Sequence, residues 1–168
     1  MAINTGRTIS KWTKVYIDYT DGVLAEIPVN SINGVGIECP DVDVSAWQDA
    51  IRNVLVDTGA CTITLTGPFD TSAIVAASGS AAAPTPSGSH SILAPLVGLN
   101  TPLAFGVCFG MRNYYVTTEP AFGLNFSAGL SGFLVKSYLP NPDAGTYSAT
   151  LVVFGKIAPS WLNAIPTS

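Results

Sequence analysis

Charge is scarce in this 168-residue chain. Charged residues make up 11% of it, under half of the roughly 25% typical of soluble globular chains. Apolar residues make up 48%. A monomer so poor in charge exposes much uncharged surface, which points to cover by other subunits. Long apolar runs are missing too. None approaches the ~20 residues that span a bilayer, so no membrane partner is expected. The opening "MAINTGRTISKW" lacks an apolar h-region and does not read as a secretory signal.

Histidine occurs once, as His90. A zinc site would need several His or Cys ligands at compatible spacing. A serine triad would have to rely on His90, and GxSxG is absent. There is no P-loop and no GxGxxG. The three cysteines, Cys39, Cys61 and Cys108, are odd in number, widely spaced and without a CxxC. They read as small buried hydrophobes in a reducing compartment. The densest carboxylate group is Glu38, Asp41 and Asp43 in "ECPDVDV". Calcium loops favour closer oxygen ligands and a Gly at the bend, so this group reads instead as an acidic connection. No enzymatic activity, cofactor or metal is expected, although an unfamiliar carboxylate pair stands as a third reading.

What is present is punctuation and alternation. Gly (16) and Pro (12) are spread along the chain, as in a protein of many short strands. "WTKVYIDY" puts Val15, Ile17 and Tyr19 on one face, with a turn signal at Asp21–Gly22. "VLAEIPV" follows, and its Pro28 argues for a strand end or an edge. "ACTITLTG" alternates Cys61, Ile63 and Leu65 against three threonines, as a half-buried antiparallel strand does. "LAFGVCFGM" sets Leu103, Phe105, Val107, Phe109 and Met111 against a nearly bare face containing Gly106 and Gly110. That bareness suits close approach of another backbone. "NYYVTT", "FGLNFSA", "GFLVKSY" and "TYSATLVVFGK" read as four more strands. "SAWQDAIRNVLV" predicts one helix at about 45–56. Ser45 would be its cap, with Gln48 three residues on, and Trp47, Ile51, Val54 and Leu55 would form its buried stripe. The expected fold is mainly β: an antiparallel sandwich or barrel-like domain of about eight strands with that one helix. It occupies residues 12–168 behind an N-terminal arm at 1–11.

Between the strands lies "SGSAAAPTPSGSH", within a segment of about 74–102 that is too long for an idle loop. Without bulky side chains it cannot build its own core. Ordering against a neighbouring subunit is the expectation, with Ser78, Pro84, Pro86 and His90 as contact candidates beside Arg7, Lys11, Gly106 and Gly110. Charge is also unevenly placed. Residues 18–70 hold nine acids against Arg52 alone, while residues 1–17 carry Arg7, Lys11 and Lys14. An acidic face of this kind repels nucleic acid.

The order of elements, with phrases such as "KVYIDYTDG", "GPFDTS" and "TEPAFGLNFSA", resembles the tail-tube and related small virion structural proteins of long-tailed bacteriophages. The resemblance covers most of residues 12–157. It implies a β-sandwich with one helix, repeated as hexameric or trimeric rings stacked into a tube. Copies of the chain would join through sheet edges and long loops, beside other virion proteins. DNA would pass as non-adhering cargo, with Asp18, Asp21, Glu26, Glu38, Asp41, Asp43, Asp49 and Asp57 as candidates to face the lumen. A capsid decoration or head–tail joining role is the alternative. A ligand-binding sandwich using Trp12, Tyr114 and Tyr115 is another.

Overall fold

The computed structural model describes residues 13–20, 23–46, 51–52, 54–56, 59–74, 87–109, 120–124 and 131–162. The fold is mainly β. One sheet has five antiparallel strands in the order β11-β8-β7-β1-β2. These are β1 (Lys14–Thr20), β2 (Val23–Ile27), β7 (Phe105–Cys108), β8 (Ala121–Leu124) and β11 (Ser160–Leu162). The second has four in the order β3-β6-β10-β9: β3 (Ser31–Asn33), β6 (Thr62–Pro68), β9 (Ser131–Asn141) and β10 (Thr146–Gly155). A separate two-stranded ribbon pairs β4 (Asp41–Asp43) with β5 (Val54–Val56).

The alternation read from the sequence decides which faces meet. Val15 and Ile17 of β1, Phe105 and Val107 of β7, and Phe122 of β8 turn inward. Ile63 and Leu65 of β6, Phe133 and Val135 of β9, and Ala149 and Leu151 of β10 come from the other sheet into the same cluster. The rings of Phe105 and Phe133 meet across the sandwich with centroids 4.9 Å apart. Each such fully buried side chain contributes about 1.5–3 kcal/mol of transfer free energy. Cys61 and Cys108 are buried, Cys39 is exposed, and all three are free thiols.

The chain crosses between the sheets at Pro28, which ends β2 as a proline must where a ladder N–H is needed. Pairing passes from β1 to β6 across this corner: β2 pairs β1, and β3 pairs β6. Close approach there requires Gly67, where a Cβ would collide with the Pro28 carbonyl.

The helix is not where periodicity placed it. Residues 54–56, its expected last turn, are strand β5, paired Asp41↔Val56, Val42↔Leu55 and Asp43↔Val54. The Ser45 amide donates to Asp43 Oδ1 at 2.9 Å. Gln48 lies outside the described residues. The β-branched valines of "NVLV" and a pairing partner in "DVD" favour the strand.

The one short helix among the described residues, α1 (Ser89–Leu93), lies in the stretch expected to be bare loop, and a 3₁₀ turn at Ala94–Leu96 continues it. Ile92, Leu93 and Leu96 enter the core. Ser89 Oγ donates to the Pro68 carbonyl at 2.7 Å and accepts from the Asp70 amide at 3.1 Å. The His90 amide donates to the Asp70 carbonyl at 2.9 Å. So the second half of the 74–102 segment belongs to the core, stitched to the exit of β6. Its two short apolar pairs were hidden by the small-residue run before them.

Candidate assembly surface

The β4–β5 ribbon presents two exposed acids, Asp41 and Asp43. Successive residues of a strand alternate faces, and paired residues share one. Val42 and Leu55 therefore lie on one face of the ribbon, with Asp41 and Asp43 on the other. Val42 is 43% exposed and Leu55 61%. Val44 and Ile51 beside them are exposed as well. A lone two-stranded ribbon is marginally stable in water. This one leaves its apolar pair uncovered.

The electrostatics of the ribbon are local. Arg52 Nε donates to Asp43 Oδ2 at 3.1 Å, with both side chains more than half exposed. The Ser45 amide and then its hydroxyl hold the Asp43 carboxyl below its ordinary value; desolvation opposes them, and Arg52 adds a smaller lowering effect. Glu38 and Asp41 are exposed with no cation paired to them among the described ion pairs. Where the ribbon joins the sandwich, Glu38 bridges Ala60. A groove of about 290 Å³ opens there, lined by Ile37, Cys39, Cys61, Val153, Ile157 and Pro159. More apolar side chains are exposed nearby, Ile157 at its rim and Phe154 on β10.

The sequence candidates separate into three groups. Glu38, Asp41 and Asp43 share this surface. Asp18 and Glu26 do not: both are buried on the five-stranded sheet, and Glu26 accepts from Lys14 Nζ at 2.6 Å. They are fold residues rather than a displayed acidic face. Gly106 is also buried. It sits opposite Gly123 of β8, where a Cβ would strike the Phe105 carbonyl, so its close backbone approach is made within the chain. His90 packs between the rings of Phe69 and Tyr138, at centroid distances of 5.4 and 5.6 Å. Its Nδ1 is buried without a hydrogen-bond partner. Arg7, Lys11, Asp21, Asp49, Asp57, Ser78, Pro84, Pro86 and Gly110 lie outside the described residues, as do Trp12, Tyr114 and Tyr115. The signal that composition missed was Val42 opposite Leu55, an apolar pair visible only once the strands are aligned.

Among the described residues no group of three or more His, Cys, Asp or Glu converges as a metal site would need. No helix among them is long and apolar enough to cross a membrane.

No family model matches the sequence, and no match emerges among curated proteins. The fold is more telling. It aligns with the cryo-electron microscopy structure of the anti-feeding prophage cap, the AFP tube terminating cap, at a TM-score of 0.55 and 14% identity, covering 98% of this chain and 97% of that one. In fold, this chain is similar to a tube-terminating cap. It is also similar to a chain of an extracellular contractile injection system, the PVC sheath–tube complex in its extended state. There the TM-score is 0.54 and the identity 13%, covering 96% of this chain and 95% of that one. Both alignments run nearly end to end. What is shared at such low identity is the sandwich and its order of strands.

Proposed function

We propose that the chain is a non-enzymatic structural subunit of a phage-tail-like particle, which self-assembles into rings that stack as the tube. One observation carries this reading: the β4–β5 ribbon stands apart from the sandwich with Val42 and Leu55 uncovered. A surface of that kind needs a neighbour, and in a homo-assembly another copy supplies it. The end-to-end likeness in fold to parts of tube-bearing particles supports the same reading.

The exposed acids fit a conduit. Glu38, Asp41 and Asp43 would face the lumen, where repetition around a ring multiplies a sparse charge. Basic walls would bind phosphates and gain free energy from counterion release; acidic walls let DNA pass. Other virion proteins would flank the tube at its ends.

Electron microscopy of the purified protein is the test. Tubes of stacked rings are the expected outcome. A second reading, a cap that ends a tube, is favoured by the likeness to the tube-terminating cap. It predicts single rings that do not stack on one another but add to the end of a preformed tube. A monomer at all concentrations defeats both readings.

A further inference from the structure

Two of the four sheet edges are sealed by the chain itself. On β2, the Ser87 amide donates to the Glu26 carbonyl at 3.2 Å. On β9, Leu103 and Phe133 exchange backbone hydrogen bonds of 3.0 and 2.8 Å. Further along β9 the register shifts near Lys136, and Pro140 follows. A bulge, a lysine and a proline are common devices that keep an edge from pairing. The β3 edge has none of these. Beside it runs a groove of about 430 Å³, with Val29, Ile32 and Val35 on one wall and Thr13 and Phe109 on the other.

The register says what lies there. Strands β1 and β2 pair Val15↔Ile27, Tyr16↔Glu26 and Ile17↔Ala25. Carried two residues outward, that register sets Thr13 opposite Val29, and both residues do line the groove. Because the strand after Pro28 turns into β3, whose other side pairs with β6, the side left free is the one β1 would follow. A strand continued in that register would bring Trp12 opposite Asn30, Lys11 opposite Ser31, Ser10 opposite Ile32 and Ile9 opposite Asn33.

We propose that the groove beside β3 is the seat of this chain's own residues 9–12, which add to β3 as an antiparallel strand continuing β1. The described chain ends at Thr13, in the wall of the groove, so the segment reaches the edge without crossing any other element. "ISKW" supplies one β-branched and one aromatic residue suited to a strand. The added strand gives the open N–H and C=O groups of β3 partners and covers Ile32 and Val35. The inference concerns the folded chain alone and does not depend on the tube reading.

Paired cysteines test it. In a Cys39→Ser background, Lys11→Cys is combined with Ser31→Cys in one variant and Ile9→Cys with Asn33→Cys in another. Lys11→Cys with Leu103→Cys is the control, because Leu103 bridges β9 at the opposite edge of the same sheet. After mild oxidation with oxidised glutathione, the expected result is an intrachain disulfide in the monomer for a β3 pair and none for the control. No disulfide in either β3 pair overturns the proposal. Disulfides that form only between chains overturn it as well, and would assign the groove to the segment of a second copy.

Discussion

The phenol of Tyr147, buried on β10, donates a 2.8 Å hydrogen bond to the carbonyl of Pro28, 119 positions away in sequence. This contact pins the corner at which the chain leaves one sheet for the other. Burial first, and the neighbouring Tyr138 second, push the Tyr147 phenol well above its ordinary pKa, so it stays a donor. Tyr147→Phe should destabilise the fold by about 1–3 kcal/mol, the cost of a buried polar group left without its partner. Urea denaturation would measure it. A loss below about 0.5 kcal/mol would mean that the corner is held by packing alone.

Lys14→Met should cost roughly 1–3 kcal/mol, because it leaves the buried Glu26 carboxylate without its 2.6 Å partner. Adding Glu26→Gln should restore part of that loss, since the unpaired charge is then gone. A double-mutant cycle in urea reads the coupling. Additive effects would show that the pair is incidental.

Leu55→Asp should leave the monomer within about 0.5 kcal/mol of the wild type, as exposed substitutions do. It should nevertheless abolish higher assembly, since it puts a charge on the ribbon's apolar face. Denaturation and electron microscopy are compared on the same sample. Normal tubes from this variant would remove the ribbon from the interface.

Lys at Glu38, Asp41 and Asp43 together should give tubes that retain DNA, with retention falling steeply as salt rises. Gel shift across a salt series would show it. Tubes that still release DNA at low salt would place these acids away from the lumen.

The Asp43 carboxyl is held below its ordinary value by the Ser45 amide and then the Ser45 hydroxyl. A lowered folded pKa means the contact is fully present above the unfolded value and is lost as pH falls through the folded one. The Ser45 amide resonance should therefore titrate with a midpoint below the ordinary aspartate value. A midpoint at or above that value contradicts the hydrogen bond. Thiols offer a parallel check at alkaline pH. Burial pushes Cys108 up to about 12, so iodoacetamide should alkylate exposed Cys39 in the native protein and reach Cys108 only on unfolding.

Strand identity was legible wherever one face of a strand is buried. The alternation of Cys61, Ile63 and Leu65 against three threonines is β6 with its core side inward. Val15 and Ile17 mark β1 in the same way. Desolvation acts on each side chain separately, so a period of two survives in the sequence whatever the partner strand is.

Where the outcome turned on a partner far along the chain, local pattern failed. "NVLV" carries a helical stripe, but Asp41–Asp43 offers it a strand to pair with, and pairing overrode periodicity. "SHSIL" follows a run that looks like linker, yet the Pro68 and Asp70 backbone groups at the exit of β6 hold it as a helix over the core. Asp18 and Glu26 look like two more acids of a charged half, and only the sheet shows them buried. Composition by itself determined a charge-poor, strand-rich chain. Tertiary structure decided which acids remain outside, which edges are sealed and where the uncovered apolar face lies, because each depends on backbone groups that meet from distant parts of the chain.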